Sequence, residues 1–445
     1  MSDLNDLSRR SVLQGTAAAG LAATGALSFD HRAAHAQGAF NWQRFKGEKI
    51  EVSLVKSPRG DLLQKYQKEF EDLTGIKVGA EQIPEQQHRQ KQVIEFTSGR
   101  PSFDVTTTAW HVQKRLFAKG KWLEDLRPML DDASLTAPDI DRNDYLKAGV
   151  GYSTESDGRI SSLPLQIDYF ILYYNKELFA NKGLAVPKTF AEMVEAAAKI
   201  HDPANGVYGS VNRGLKNANV VTWAALMAGF GAEAIDSSGK LLTDQPGAIA
   251  AAEMYKELNT KYAPPGVVAF NWMECLAAFS QGRCGMWIDG VGWAPPLEDP
   301  AKSKVVGKVG YAVIPAGPVK HEAVVFGDGI GVAAASKKKG PAYFYTQWAT
   351  SRLMMRRMVE EGMGSPTRAS AFETDKLKLP KEWVTSIIDS AKIGRAGLPE
   401  IIPVSEYRDT FGIALTNMFS GADPATELRK ATEAFKPILE KSERA

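Results

Sequence analysis

One carboxylate stands within an unusually apolar stretch of this sequence. Residues 163–179 read LPLQIDYFILYYNKELF, and apart from Gln166 and Asp168 the first dozen of them are apolar, aromatic or proline. This composition is typical of a strand that enters a protein core. A buried carboxylate needs a hydrogen-bonding partner, because an unpaired buried charge is costly. Asp168 could therefore accept hydrogen bonds from a ligand, or it could be a structural residue satisfied by backbone amides or an arginine.

Two further charged residues occupy positions from which a side chain can reach a ligand. Arg59 lies in SPRGD, just after a predicted strand, where its guanidinium could present a bidentate fork at the start of a helix. The alternative for Arg59 is a solvated surface charge. Asp328 lies between glycines in FGDGIG, which lets the backbone approach a ligand closely. This run lacks the Rossmann spacing and a preceding βαβ unit, so we exclude a nucleotide site there.

Short β-rich and helical segments alternate along the chain and would position these side chains. IEVSLV is a predicted strand, and the helix after it has Ser57 as N-cap, Pro58 at its first position and Gly75 as its stop. The strands IKVGAEQI and SFDVTTTA come next, each followed by a helix. This alternation predicts an α/β fold in which a parallel sheet has helices on both faces. In such sheets, ligands bind beyond the carboxyl ends of the strands.

The signatures of common enzyme classes are missing from the sequence. It contains no Gly-x-Ser-x-Gly, no His-Glu-x-x-His, no P-loop and no cysteine cluster, and its histidines show no ligand spacing. We therefore expect no catalytic activity, no metal and no cofactor, although the paired carboxylates of a glycosidase would leave no signature. The two cysteines, Cys275 and Cys284, could form a disulfide or remain two buried free thiols.

Residues 1–36 have the features of a twin-arginine export signal, in the right order. Arg9 and Arg10 precede a run rich in alanine and glycine, and AHA, which ends at Ala36, supplies small residues for cleavage. The alternative is a disordered or tag-like terminus. No segment is apolar over a length that spans a membrane, so we expect a mature chain free in the periplasm. A formal net charge of +2 without long basic runs argues against nucleic acid as a partner.

A series of motifs along the chain resembles one protein family. In order, the motifs are FDVTTTAW…LFAKGKWLEDL, LPLQIDYFILYYNKELF, PKTFAEMVEAAAKI, FSQGRCGMWIDG, GYAVIPAGP, FGDGIGVAAASKK, YTQWATS and IIPVSEY. Together they resemble the family 1 extracellular solute-binding proteins of ABC importers, the group that includes maltodextrin-binding protein. The resemblance runs from about Lys49 to the last helix. Each motif alone is weakly diagnostic, whereas their order and spacing are specific.

The resemblance implies a two-lobe α/β clamp that closes on a small solute. The chain would cross between the lobes about three times, near Pro164, near residues 327–331 and near Ser370. The implied N-terminal lobe is residues 37–163 plus 330–370, and the implied C-terminal lobe is residues 164–329 plus 371–445. Such a clamp is typically a monomer that delivers its solute to a membrane permease.

The resemblance also assigns ligand contacts. Asp168 would lie at the lobe boundary, where its carboxylate can accept bonds from two sugar hydroxyls. Trp293 lies in a glycine-flanked loop where family members present a stacking aromatic, and His111 matches a position that often carries a polar contact. The family's late aromatic contact would correspond to Tyr407, next to Arg408, within a register of one or two residues. Trp110, after the strand SFDVTTTA, could stack on a sugar ring or equally be a core residue. The complete predicted set is Arg59, Trp110, His111, Asp168, Asn219, Asp289, Trp293, Asp328, Tyr407 and Arg408.

The sequence therefore predicts a periplasmic receptor that captures a sugar, oligosaccharide or polyol for an ABC importer. One alternative is a receptor for a non-sugar solute, such as a polyamine, a peptide or an organic acid. A secreted cofactor-dependent or glycoside-processing enzyme is a further alternative. If Arg59 and Arg408 both face the ligand, an acidic sugar joins the candidate solutes.

Overall fold

Strands and helices alternate through residues 39–377 and 379–444, the part of the chain that the computed structural model describes. The predicted export signal, with Arg9, Arg10 and Ala36, lies outside the described residues. The strands are β1 (Lys49–Val55), β2 (Lys77–Ile83), β3 (Val105–Ala109), β4 (Leu163–Asn175), β5 (Tyr208–Val211), β6 (Cys284–Gly290), β7 (Val309–Val313), β8 (Ala323–Val332) and β9 (Gly394–Ala396).

Most strands are followed by a helix, as the sequence pattern predicts. The helices of the first half are α1 (Pro58–Thr74), α2 (Glu85–Thr97), α3 (Trp110–Gly120), α4 (Arg127–Leu130), α5 (Lys147–Ser153), α6 (Lys176–Asn181), α7 (Phe190–Ile200) and α8 (Asn219–Gly229). The helices of the second half are α9 (Pro246–Lys261), α10 (Trp272–Ser280), α11 (Ala294–Leu297), α12 (Lys339–Ala349), α13 (Arg352–Glu360), α14 (Lys381–Lys392), α15 (Val404–Phe419) and α16 (Pro424–Arg444).

Helix α1 shows how local chemistry sets these boundaries. The Ser57 side chain accepts a hydrogen bond from the backbone N–H of Gly60, and Pro58 occupies the first helical position. Gly75 ends the helix with φ 73°, a left-handed conformation that residues with a Cβ adopt at a cost. The predicted cap, first residue and stop of this helix are confirmed. Arg59 is thereby held in the first turn.

The strands form one continuous series in the order β2-β1-β3-β8-β4-β6-β5, with β7 paired to β4 and β9 paired to β8. Strand β1 runs parallel to β2 and β3, and β5 runs parallel to β6. Strand β8 runs antiparallel to β3 and β4, as expected for a strand that passes back. The sheet is therefore mixed, with a parallel group at each end.

Two long central strands join the two ends of this series. The first part of β4, Leu163–Tyr169, pairs with β8, whereas Phe170–Asn175 pairs with β6 and β7. Strand β8 pairs with β3 on its other side. One of the hydrophobic clusters continues along this path and includes Ile50, Tyr169 and Trp287. The predicted strand that enters the core is confirmed, because all but two of the 13 residues of β4 are buried.

Cys275 on α10 and Cys284 at the start of β6 are both buried free thiols, which is the second of the two predicted alternatives. Burial raises the pKa of both thiols, and that of Cys284 reaches about 12. Neither thiol is therefore reactive near neutral pH. Within the described residues, no helix has the length and apolar character needed to cross a bilayer.

Candidate functional site

The carboxylate of Asp168 lies at the centre of a hydrogen-bonded network. Its Oδ1 accepts bonds from the backbone N–H of Gly292 at 3.0 Å and from Ser365 Oγ at 3.1 Å. Its Oδ2 accepts a bond from Gln166 Nε2. A Cβ on Gly292 would lie 2.8 Å from Asp168 Oδ1, so only glycine lets this backbone approach so closely. The carboxylate thus joins three separate segments of the chain.

Arg59 extends this network to a second carboxylate. Its Nη2 contacts Asp328 Oδ2 at 2.6 Å, and its Nη1 donates to Gln166 Oε1 at 3.1 Å. The side chains of Arg59 and Asp328 are only 11% and 12% exposed. Residues 166 and 328 face each other in the β4–β8 pairing, which fixes the register of the network. We call Arg59, Gln166, Asp168 and Asp328, with Ser365 and Gly292, the Asp168 cluster.

The charge of one guanidinium, that of Arg59, acts on two carboxylates of the Asp168 cluster. Burial raises the pKa of Asp168, and the bond from Gln166 and the charge of Arg59 oppose this rise. Burial also raises the pKa of Asp328, where Arg59 opposes the rise and Asp168 adds to it. Burial therefore disfavours the charged form of both carboxylates, and additional donors such as ligand hydroxyls would stabilise that form.

A second group of side chains surrounds the end of β6. Asp289 is fully buried, and its carboxylate receives a bidentate contact from Arg213, at 2.8 Å from Nε and 2.5 Å from Nη2. The same carboxylate accepts a bond from Trp293 Nε1 at 2.9 Å. The ring of Trp293 stacks on Trp272, with centroids 4.1 Å apart and planes 5° from parallel. Arg213, Trp272, Asp289 and Trp293 form what we call the indole cluster.

The indole cluster combines a flat apolar surface with a fixed orientation. Trp272 covers one face of Trp293, and both indoles are partly exposed. The bond to Asp289 holds the Trp293 ring in place, and Arg213 neutralises that carboxylate. Such a rigid aromatic pair suits the weakly apolar face of a sugar ring or the carbon chain of a polyol.

A third group follows β2. Glu85 and Arg89 form an ion pair one turn apart on α2, and Arg89 is almost fully buried while Glu85 is 42% exposed. Arg89 holds the pKa of Glu85 down at about 2, against the effect of burial, and Arg408, His111 and Arg213 add to this lowering. These residues therefore lie within electrostatic reach of one another. We call Glu85, Arg89, His111 and Arg408 the Glu85 cluster.

His111 is an uncharged member of the Glu85 cluster. Burial, with the charges of Arg89 and Arg408, lowers its pKa to about 3. Its Nδ1 lies 3.3 Å from the carbonyl oxygen of Gly327. A carbonyl oxygen only accepts, so Nδ1 carries the proton in this contact and Nε2 is left as an acceptor. The edge of the ring packs against Phe326.

The three clusters belong to one region of the molecule. The charges that act on Asp328 include Glu85 and Arg89, and those that act on Glu85 include Arg213. The topology explains part of this arrangement, because several of their side chains lie at or soon after the carboxyl ends of strands, where ligands bind in α/β proteins. Asp168 and Asp328 instead lie within the paired strands β4 and β8. The strand ends and their residues are β1 with Arg59, β2 with Glu85 and Arg89, β3 with His111, β5 with Arg213, and β6 with Asp289 and Trp293.

Seven of the ten predicted site residues lie in these clusters: Arg59, His111, Asp168, Asp289, Trp293, Asp328 and Arg408. The structure places the other three elsewhere. Trp110 is buried, donates its Nε1–H to Ser162 Oγ at 2.9 Å and stacks on Tyr152.

Tyr407 is buried against Phe411 and Phe435, and Asn219 is buried with its amide on the carbonyl of Gly412. The side chains of Trp110, Tyr407 and Asn219 are thus occupied in the protein core. We correct the predicted set by leaving these three out of the candidate site.

Sequence reasoning missed several residues that the structure brings into the site. They are Glu85, Arg89, Gln166, Arg213, Trp272 and Ser365. The rule that ligands bind at strand ends would have pointed to Glu85 and Arg89 after β2 and to Arg213 after β5. Gln166 is the second polar residue of the apolar stretch, two positions from Asp168 and hence on the same face of the strand.

The clusters supply planar acceptors, planar donors and an aromatic surface. No group of three or more His, Cys, Asp or Glu side chains among the described residues is arranged to hold a metal ion. The arrangement is suited to reading a pattern of hydroxyl groups by hydrogen bonds and covering a carbon skeleton.

Comparison with known proteins gives the same family as the sequence motifs. A sequence model of the family described as bacterial extracellular solute-binding protein matches residues 56–352. The chain is also similar to the erythritol/L-threitol-binding protein of Mycolicibacterium smegmatis, with 26% identity over 465 aligned residues that cover 95% of each chain.

Two solved structures are similar over 88% of this chain and 99% of their own. One is an ABC transporter solute-binding protein from Agrobacterium radiobacter K84 in complex with ribitol, with a TM-score of 0.82 and 26% identity. The other is an ABC transporter solute-binding protein from Agrobacterium vitis S4 with bound D-mannitol, with a TM-score of 0.79 and 25% identity. The likeness confirms the predicted α/β architecture of two lobes.

Proposed function

Because the chain belongs to the bacterial extracellular solute-binding protein family, we propose that it captures a polyol or sugar and delivers it to the permease of an ABC importer. The observation that carries this proposal is the meeting of the Asp168 cluster and the indole cluster at the adjacent residues Gly292 and Trp293. Similar proteins that bind erythritol or L-threitol, ribitol and D-mannitol support the same class of solute.

In the proposed site, each cluster has its own role. Asp168 and Asp328 accept bonds from hydroxyl groups, while Arg59 holds Asp328 directly and supports Asp168 through Gln166. The exposed part of the Trp293 and Trp272 pair covers the carbon skeleton. His111 accepts one further hydroxyl proton at Nε2. Asp289 and Arg213 act by orienting the Trp293 ring.

We place the proposed site between the two lobes predicted from the sequence, residues 37–163 plus 330–370 and residues 164–329 plus 371–445. The packing of the last helices supports this division, because α14 packs on β4 and β7 and α15 packs on α8 and α9. Helix α12 packs on β1 and β3, in agreement with the N-terminal lobe. The lobes close on the solute by a hinge.

The proposed site of action is the periplasm. Residues 1–36 direct twin-arginine export and are removed after Ala36, and the mature monomer meets the permease at the membrane. Members of this family bind their substrates, and we propose that this chain likewise releases its solute chemically unchanged.

A thermal-shift screen of the exported protein tests the proposed solute class. A bound solute raises the melting temperature by mass action. We expect erythritol, ribitol, D-mannitol or maltose to raise it in a concentration-dependent way, and spermidine, glycine and a tripeptide to leave it unchanged. A shift with the non-sugar compounds alone would contradict the proposal. Recovery of an altered compound after incubation would contradict release of the solute intact.

A further inference from the structure

Arg408 is a buried arginine in the proposed site whose charge no carboxylate compensates by contact. The other three site arginines each pair with a carboxylate, Arg59 with Asp328, Arg89 with Glu85 and Arg213 with Asp289. Arg408, on α15, is 5% exposed and forms no ion pair with any described residue.

The contacts of Arg408 leave most of its guanidinium unused. Its Nε donates to the carbonyl oxygen of Asn217 at 3.2 Å, whereas its buried Nη1 has no hydrogen-bond partner. Asn217 is held in place by a bond from its Nδ2 to Asp409 Oδ1 at 3.0 Å. A buried charge with unsatisfied donors lowers the stability of a folded protein. Its presence at this position therefore calls for a role other than packing.

The surroundings of Arg408 do not offer a spare anion. Burial lowers its pKa to about 9, and the positive charges of Arg89 and Arg213 contribute to this lowering. Glu85 and Asp409 act in the opposite direction, but the Glu85 carboxylate is already paired with Arg89, and the Asp409 carboxylate accepts a bond from Asn217 and is 52% exposed. An anionic group on the bound solute would supply the missing compensation.

We propose that the solute is a polyhydroxylated monocarboxylic acid, of the aldonate type, whose carboxylate binds Arg408 while its hydroxyls bind the Asp168 cluster. This inference rests on the proposed function, that the site binds a polyhydroxylated compound. One unpaired guanidinium matches one negative charge in a planar, bidentate group, whereas a phosphate monoester would bring a second negative charge, and the other three site arginines are already paired.

Titration calorimetry with matched pairs of solutes tests this proposal on the exported protein. The pairs are ribitol with D-ribonate, D-mannitol with D-mannonate, and erythritol with D-erythronate, so that each acid differs from its alditol at one terminal carbon. We expect at least one acid to bind roughly tenfold or more tightly than its alditol, since a charged hydrogen bond is worth about that factor. High salt should reduce the difference.

Arg408→Gln should abolish the preference for the acid, and Arg429→Gln is the matched control. Arg429 is exposed on α16 and donates only to the carbonyl of Ala425 in its own helix, so its loss should leave the preference unchanged. Glycerol 3-phosphate serves as the phosphate probe, and binding of this compound in preference to every acid would overturn the choice of a carboxylate.

The wild-type titrations decide the matter even if Arg408→Gln does not fold. Alditols that bind as tightly as their acids would overturn the acid inference and leave the proposed function standing. Failure of both classes to bind would overturn the inference together with the proposed function.

Thermal melts of the unliganded variants separate a ligand-binding role from a structural one. Removing an uncompensated buried charge should leave the melting temperature of empty Arg408→Gln unchanged or raise it. A lower melting temperature combined with an intact preference for the acid would show that Arg408 is structural, which would overturn the proposal.

Discussion

Replacing Asp168 by asparagine tests the hydrogen-bond network at the centre of the proposed site. The Oδ1 position keeps an oxygen, so the bonds donated by Gly292 and Ser365 can persist. The Oδ2 position becomes an NH2 group that faces the NH2 group of Gln166, which now donates there. Two donors cannot bond to each other, so the Gln166 amide must rotate or lose this contact.

Rotation of Gln166 does not avoid the loss, because its Oε1 accepts a bond from Arg59 at 3.1 Å. A guanidinium only donates. Rotation of the Gln166 amide would therefore restore the bond to residue 168 but break the bond from Arg59. One hydrogen bond that involves a charged group disappears in either case, at a cost of about 1.5–3 kcal/mol. The substitution also removes a carboxylate whose pKa is raised by burial, which offsets part of the cost. We expect the empty variant to lose no more than about 2 kcal/mol of unfolding free energy.

The affinity of Asp168→Asn for its solute should fall by more than the stability does. Loss of one or two bonds from the carboxylate to ligand hydroxyls corresponds to an increase in Kd of about tenfold to a few hundredfold. Calorimetric titration measures this change, and urea unfolding of the empty protein measures the stability. Asp72→Asn, on the exposed side of α1, is the matched control and should change neither quantity.

The double substitution Gln166→Glu with Asp168→Asn separates the two roles of the carboxylate. The carboxylate introduced at position 166 would accept from the amide introduced at position 168 with one oxygen and from Arg59 with the other. The hydrogen bonds within the network are then restored, with the donor now at position 168 and the acceptor at position 166. We therefore expect the free energy of unfolding to return to the wild-type value while the affinity for the solute stays low. Full recovery of the affinity, or normal binding by Asp168→Asn alone, would refute a direct contact between the Asp168 carboxylate and the solute.

Three further predictions concern other parts of the molecule. Trp293→Ala should weaken solute binding by roughly thirtyfold, as expected for an aromatic hot spot. The melting temperature of the empty protein should change little, because Asp289 keeps its contact with Arg213. An unchanged affinity in calorimetric titration would contradict this prediction. Burial holds the pKa of His88 at about 4, below the value near 6.5 of an unfolded chain. The stability that this shift contributes is fully present above pH 6.5. It is lost as the pH falls toward 4, because the unfolded chain then binds a proton that the folded protein does not. The free energy of unfolding should therefore fall between pH 7 and pH 5 by about 2 kcal/mol less in His88→Gln than in wild type. The two buried thiols should react with a thiol reagent only after denaturation; no reaction in denaturant without a reductant would reveal a disulfide instead.

Local features of the fold could be predicted from the sequence because their causes are local. The cap, the proline and the terminal glycine of α1 lie within a few residues of the helix they delimit. The burial of β4 on both faces follows from its composition. The presence of Asp168 in that strand pointed to the site for the same reason, since a carboxylate among apolar residues needs a partner. What the strand could not reveal was the partner, because Gly292 and Ser365 lie more than a hundred residues away.

Side-chain direction at the ends of elements was the second limit of prediction. The strand-end rule located both Trp110 and His111 correctly after β3, but adjacent residues on a helix point about 100° apart. His111 therefore reaches Gly327 in the site while Trp110 enters the core. The same one-residue step separates Tyr407, which is in the core, from Arg408. The register of the late contact depends on how α15 is rotated, and tertiary packing alone sets that rotation.

The energetics of the empty protein link these observations. The charge of Arg59 acts on both Asp168 and Asp328, burial raises the pKa of both, and the buried Nη1 of Arg408 has no hydrogen-bond partner among the described residues. A chain selected for stability alone would replace such groups by apolar residues of similar volume. Their cost is recovered only when a solute brings the missing donors and acceptors, so the bound state is stabilised relative to the empty one. A solute that satisfies one end of the site but not the other leaves part of that cost in place, which is a physical basis for discrimination between solutes of similar size.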